Sequence, residues 1–166
     1  MIPLTDYLNK DNSKPRILTN VNALGVDELL EQFGYLFFPD NEKNRETLIS
    51  QLKKRENLGT TGIGRGFAIP HIRTLLVDKV QASIITTKGT NYNSIDNNPV
   101  FFAVSIIGPH GEINQSYLPL LTYIARFVKL EEGTKLMEDI TKRDVTSEDI
   151  MESLRDYESK HCNQHS

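Results

Sequence analysis

The chain has no tryptophan, one cysteine and no apolar run long enough to cross a bilayer as a helix. A lone thiol, Cys162, leaves no intrachain disulfide to form, which points to a reducing compartment. The opening Met1-Ile2-Pro3-Leu4 lacks the basic start and apolar stretch of a secretory signal, so the sequence reads as cytoplasmic. An excess of positive charge is missing too: 19 Lys and Arg against 22 Asp and Glu give a net charge of −3. That balance offers no electrostatic case for nucleic acid and makes proteins the expected partners. There is no internal repeat and no low-complexity segment. What remains is length, 166 residues, enough for one domain with a sizeable core.

The most informative stretch runs from Arg55 to His71, Arg-Glu-Asn-Leu-Gly-Thr-Thr-Gly-Ile-Gly-Arg-Gly-Phe-Ala-Ile-Pro-His. Gly62, Gly64 and Gly66 alternate, which allows positive φ at several positions and predicts a nest of backbone N–H groups that attracts an anion. Phe67-Ala68-Ile69 is a short apolar run suited to a buried strand, and Pro70 is expected to end its hydrogen bonding while fixing the backbone that presents His71. A neutral imidazole, with its ordinary pKa of about 6.5, is a competent nucleophile near pH 7 and can accept a phosphoryl group directly. The charge of that group needs a cation. Leu48, Leu52 and Arg55 share one helical face, which puts the Arg55 guanidinium at its inner edge; Arg65, in the glycine loop, is a second candidate. Other phosphate motifs fit worse. A dinucleotide fingerprint needs glycine where Phe67 stands and a strand before the glycines. In a P-loop reading of Gly59 to Gly64, Arg65-Gly66 replaces the required Lys-Ser/Thr.

Around this segment, Leu4 to Leu8 reads as a short amphipathic turn, Asp11 to Pro15 as a polar linker and Arg16 to Thr19 as a brief strand. Val26, Leu29, Leu30, Phe33 and Phe37 recur at helical spacing, and Pro39-Asp40-Asn41 stops that helix and caps the next, the one carrying Arg55. Tyr35 and Phe38 are expected to pack as core rather than as a binding patch. Val80 to Thr87 and Val100 to Ile107 read as strands, the second more apolar and central, joined by an asparagine-rich connection, Thr90 to Asn98, expected to be a solvated hairpin turn. After Gly108 to Glu112 a helix is predicted with Leu118, Leu121, Ala125 and Val128 as its buried stripe and Pro119 in its first turn, where its free N–H groups favour an anion. Leu136, Met137 and Ile140 suggest a short helix headed by Glu131-Glu132. Thr146-Ser147-Glu148-Asp149 starts another with Ile150, Met151, Leu154 and Tyr157 inward. Residues 158–166 read as a polar tail, in which His161, Cys162 and His165 lack a fourth ligand for a metal. The sum is a single α/β domain over residues 1–157, a sandwich with a mixed sheet flanked by helices.

Arg55-Glu56, Leu58-Gly59-Thr60-Thr61-Gly62-Ile63-Gly64 and Gly66 to His71 resemble the active-site segment of IIA domains of the bacterial phosphotransferase system, of the mannitol, fructose and nitrogen-regulatory type. The likeness extends from Leu4 to about Tyr157. It implies that His71 carries a phosphoryl group taken from the carrier protein HPr or its nitrogen-branch equivalent NPr, without a metal or other cofactor. Arg55 would bind that group, and Thr61 with the Gly62 and Gly64 loop N–H groups would hold its remaining oxygens. It also implies a second histidine just before the Leu-x-Leu-Leu of the later helix. Here Tyr117-Leu118-Pro119-Leu120-Leu121 puts Tyr117 in that place, able to donate a hydrogen bond to phosphate but not to carry positive charge. His110, in the adjoining loop, is a secondary candidate for the missing imidazole. With neither IIB nor membrane IIC segments in the sequence, the resemblance favours a free-standing regulator over a sugar-uptake IIA that passes phosphate to a separate EIIB. A module that only senses an anion is the remaining reading.

Overall fold

The computed structural model describes residues 2–9, 13–111 and 115–162. Its strands are β1 (Ile17–Val21), β2 (Gly62–Gly64), β3 (Phe67–Ala68), β4 (His71–Arg73), β5 (Gln81–Thr90) and β6 (Val100–Gly108). Its helices are α1 (Val26–Phe37), α2 (Glu42–Asn57), α3 (Tyr117–Phe127), α4 (Glu131–Lys142) and α5 (Ser147–His161), preceded by a 3-10 turn over Leu4–Tyr7. The strands form one sheet in the order β1-β5-β6-β3-β2, and β4 continues along the β6 edge beyond β3. β5 and β6 are antiparallel, while β1 on β5 and both β3 and β4 on β6 are parallel. This is the mixed sheet that the sequence predicts.

Both faces of the sheet are covered, which is why β5 and β6 read as nearly unbroken apolar runs. Alternate residues serve opposite cores: Ala82, Ile84, Val104 and Ile106 pack with α3, α4 and α5, whereas Ile85, Ala103 and Ile107 pack with α1 and α2. α1 buries Leu29, Leu30, Phe33 and Phe37. α2 is mostly polar, is capped by the Asn41 side chain accepting from the Asn44 N–H at 3.0 Å, and buries Leu48 and Leu52. Tyr35 departs from the core expectation. It is 54% exposed, with the Arg45 guanidinium carbon 4.3 Å from its ring centroid, while Phe38 packs partly buried against the α1 core.

Three expectations are corrected. The buried stripe of α3 is Tyr117, Leu120, Tyr123, Ile124 and Phe127, and Leu118 is 59% exposed. Large aromatic rings set the phase of this helix: Tyr157 packs edge-on against Tyr123 at 4.9 Å and Phe127 at 5.2 Å between centroids. Second, residue 158 does not begin a tail, because α5 continues to His161. Glu158 is buried and accepts from the Thr5 N–H at 3.2 Å, the Thr5 hydroxyl at 2.5 Å and the Tyr123 hydroxyl at 2.6 Å, tying the first turn of the chain to its last helix. Burial raises the Tyr123 pKa, so that phenol keeps the proton it donates. Third, Pro70 does not end the strand pairing. Its carbonyl accepts from the Ile106 N–H at 3.1 Å, and β4 follows at once. His165, part of the Asp11–Pro15 linker and Glu112 lie outside the described residues. Among those described, no helix is long and apolar enough to cross a membrane.

Candidate functional site

β4 pairs His71 with Ile106, Ile72 with Ile107 and Arg73 with Gly108. The two-residue period puts His71 and Arg73 on the α3 side of the sheet, and Ile72 packs into the opposite core. His71 Nδ1 lies 2.6 Å from the Ile69 carbonyl oxygen. A carbonyl can only accept, so this contact assigns the neutral ring's proton to Nδ1 and leaves the Nε2 lone pair as nucleophile. The ring is half-buried. Burial holds its pKa below the usual 6.5; the Ile69 hydrogen bond pulls the other way, while the Arg55 charge lowers it further and Glu56 raises it.

Arg55 occupies the last turn of α2, and its Nη1 donates to the Gly59 carbonyl at 3.0 Å. Its charge acts on both the His71 ring and the Tyr117 hydroxyl. Glu56, the next residue, organises the loop. Its carboxylate accepts from the Thr61 N–H at 2.6 Å, the Thr61 hydroxyl at 2.7 Å and the Tyr92 hydroxyl at 3.2 Å. Burial and the Glu56 charge both raise the Tyr92 pKa and keep that phenol protonated.

The glycine segment is a hairpin, not the open nest expected from its spacing. Arg65 (φ 58°) and Gly66 (φ 87°) are the two positive-φ residues that turn β2 back into antiparallel β3. The N–H groups of Thr61, Gly62 and Arg65 are taken by Glu56, the Thr60 hydroxyl at 3.0 Å and Asp96 at 2.9 Å, so Thr61 and Gly62 brace the loop. Gly64 has φ 94° at the hairpin. The Thr90–Asn98 connection, expected as a solvated turn, folds across β2 as a strap: Tyr92 is 1% exposed, Ser94 is buried, and the Ile95 N–H donates to the Gly62 carbonyl at 3.1 Å. A missing Cβ at Gly62 makes the approach possible, since one there would collide with Ser94 Oγ. The Arg65 side chain is exposed at the hairpin tip, and His110 is exposed in the turn after β6.

Tyr117, the first residue of α3, sets its ring 6.3 Å from the His71 ring, centroid to centroid. Burial pushes its phenol up to about 12 against the pull of Arg73 and Arg55. The unanticipated member of the site is Arg73. Its guanidinium carbon stands 4.4 Å from the Tyr117 ring centroid, and its Nη1 donates to the Pro109 carbonyl at 3.3 Å. The signal for it in the sequence is its place two residues after His71, which on a strand puts both side chains on one face.

The family model described as "Phosphoenolpyruvate-dependent sugar phosphotransferase system, EIIA 2" matches residues 12–156. A nitrogen regulatory protein of Bradyrhizobium diazoefficiens is 26% identical over 135 residues, covering 81% of this chain and 85% of that protein. A fructose-specific EIIABC component of the phosphotransferase system in Bacillus subtilis is 28% identical over 145 residues, which is 85% of this chain but 22% of that longer protein. Among solved structures, the nitrogen regulatory protein IIA-Ntr of Neisseria meningitidis superposes with a TM-score of 0.73 at 23% identity, covering 84% of this chain and 92% of that one, a likeness of fold.

Proposed function

The chain belongs to the EIIA 2 family of the phosphoenolpyruvate-dependent sugar phosphotransferase system, and on that premise we propose that it is a phosphoryl carrier whose His71 accepts a phosphoryl group from phospho-HPr or phospho-NPr. The observation that carries the reading is the His71 ring, held by Ile69 through Nδ1 with Nε2 left as nucleophile, beside the Arg55 charge. The Nε2 lone pair attacks phosphorus as the N–P bond of the donor phosphohistidine breaks, and that electron pair returns to the donor ring, which leaves as neutral imidazole because its other nitrogen is protonated. His71 then carries phosphate on Nε2 and a proton on Nδ1. The Ile69 carbonyl stabilises the resulting positive ring.

Transfer of this kind depends on alignment and charge stabilisation more than on acid-base help. Arg55 contributes a charge-assisted hydrogen bond to a phosphoryl oxygen, on the order of 1.5 to 3 kcal/mol. Thr61, Gly62 and Gly64 serve the site by fixing the loop that follows α2, whose Gly59 carbonyl accepts from Arg55. The chain acts in the cytoplasm as a relay component, mainly as a regulator: phosphorylation adds about two negative charges at His71 and changes which target protein binds. The likeness to the nitrogen regulatory protein supports that role. The likeness to the fructose-specific component supports a second reading, in which the phosphoryl group passes to an EIIB partner.

Incubation with phosphoenolpyruvate, enzyme I and HPr, read by intact mass, tests the proposal. An acid-labile phosphoryl adduct, absent in His71→Ala, is expected; no adduct from either HPr or NPr leaves only an anion-binding role. Adding EIIB proteins then separates transport from regulation.

A further inference from the structure

Position 117 is where the site departs from the resemblance: a tyrosine cannot supply the positive charge of the second histidine expected there. The geometry around it points to a replacement. We propose that Arg73, whose guanidinium lies over the Tyr117 ring, is a second arginine that binds the phosphoryl group on His71, and that Tyr117 acts as the platform for it rather than as a phosphate ligand.

This inference rests on the phosphoryl-carrier reading of His71 and adds a residue to it. Four observations converge. His71 and Arg73 leave the same face of β4, fixed by pairing with Ile106 and Gly108. The Tyr117 ring touches both neighbourhoods, 6.3 Å from the imidazole centroid and 4.4 Å from the guanidinium carbon. It is admitted there by Gly108, where a Cβ would lie 3.0 Å from Tyr117 Cδ2. The Pro109 carbonyl, accepting at 3.3 Å, holds the guanidinium against the ring.

The two arginines are not equivalent. The charge of Arg55 acts on both the His71 ring and the Tyr117 hydroxyl, whereas that of Arg73 acts on Tyr117. In the proposed arrangement a phosphoryl group on Nε2 is bound by both guanidinium groups, each taking a different oxygen. Arginine suits this position, since its planar fork stacks on an aromatic face while its edge still donates.

Phosphorylation rates measured with two donors, phospho-HPr and the small chemical donor potassium phosphoramidate, test the assignment. Arg73→Ala is expected to slow both reactions on the order of 10- to 100-fold, the worth of one charge-assisted hydrogen bond. Arg73→Lys, which keeps charge without the stacking plane, should fall between. Tyr117→Ala should lose rate as Arg73→Ala does, and Tyr117→Phe should restore it, because the ring suffices. The double variant Arg73→Ala/Tyr117→Ala should be no slower than either single one. Amide spectra of each variant report whether the fold is kept, and Arg73→Lys decides the matter if Arg73→Ala loses it.

The role of Arg73 is overturned if Arg73→Ala, or Arg73→Lys in its stead, stays within twofold of the parent. It is also overturned if the loss appears with phospho-HPr alone, which makes Arg73 a contact for the donor protein, or if Tyr117→Phe falls as far as Tyr117→Ala. A parent chain that takes no phosphoryl group from either donor sinks the carrier reading and this one together. A parent that is phosphorylated beside an unimpaired Arg73 variant sinks this one only.

Discussion

Glu56 and Thr61 are joined twice, the carboxylate accepting the Thr61 N–H at 2.6 Å and the Thr61 hydroxyl at 2.7 Å. Tyr92 adds a third hydrogen bond to the same carboxylate at 3.2 Å, so one side chain at the end of α2 fastens both the start of the hairpin and the strap that crosses it. Glu56→Ala removes the carboxylate that accepts all three hydrogen bonds and leaves the Thr61 N–H without its acceptor. It is expected to destabilise the fold by roughly 1.5 to 3 kcal/mol in urea unfolding. Tyr92→Phe leaves the Glu56–Thr61 pair intact and should cost about 0.5 to 1.5 kcal/mol. Equal losses for the two would mean that Glu56 does not organise the loop.

The His71 ring gives a pH signature. Its pKa in the fold lies below the ordinary 6.5, chiefly because burial disfavours the charged ring. Between those two values the unfolded chain binds more protons than the folded one, so stability rises with pH across the window. The contribution is complete above about 6.5 and declines as pH falls toward the folded value, below which this group costs nothing more. His71→Gln should flatten that part of the stability profile. The same shift keeps Nε2 unprotonated in mildly acidic solution, so phosphorylation should fall off at lower pH than for an exposed histidine. An NMR titration of the imidazole with its midpoint at or above 6.5 would contradict both expectations.

Gly62 predicts how tightly the strap is seated. A Cβ there would collide with Ser94 Oγ and lie 2.9 Å from Ser94 Cα, and the second of these atoms is backbone, which cannot rotate away. Gly62→Ala is therefore expected to lift the strap and cost about 1 to 3 kcal/mol. Adding Ser94→Gly should recover only part of this, since the backbone of residue 94 would still crowd the new methyl group. Full recovery would show that the hydroxymethyl group alone sets the spacing.

Local pattern was readable wherever one force decided the structure. The α1 residues Leu29, Leu30, Phe33 and Phe37 are buried at the spacing that the sequence displays, and Asn41 caps α2 as its type and place suggest. His71 and Arg55 could be picked out because imidazole, guanidinium and glycines cluster within one short stretch. Legibility failed where a residue has two competing uses. The positive φ of Gly64 and Gly66 serves either an anion nest or a hairpin, and the pairing of β2 with β3 selects the hairpin. Pro70 lacks an N–H but keeps its carbonyl, and that carbonyl sustains the ladder that carries Arg73. In α3, Tyr117, Tyr123 and Phe127 outweigh the leucines that a simple apolar stripe favours. The strap was hidden because polar asparagines dominate a segment anchored by Tyr92, Ser94 and Asp96.

Asp96 and Arg65 offer a test that separates the hairpin from the chemistry. The Asp96 carboxylate accepts from the Arg65 N–H at 2.9 Å and from the Asn98 N–H at 3.1 Å, and the first of these is the main cause that lowers its pKa below the ordinary 3.8. A depressed carboxylate favours the fold above its unfolded pKa and loses that contribution as pH falls through the folded value. Acidification below about 3.8, or Asp96→Ala at neutral pH, should therefore free the Arg65 amide and speed its hydrogen exchange. The Ile95 amide, still bonded to the Gly62 carbonyl, should stay protected. Arg65→Gly keeps the N–H that Asp96 binds and relieves a φ of 58°, which costs a side-chain-bearing residue about 1 to 2 kcal/mol, partly offset by the freer unfolded chain. Its stability should change little, and because the Arg65 side chain is exposed at the hairpin tip, phosphorylation by phosphoramidate should proceed at the parent rate. A tenfold loss with the amide still protected would instead make Arg65 a ligand of the phosphoryl group.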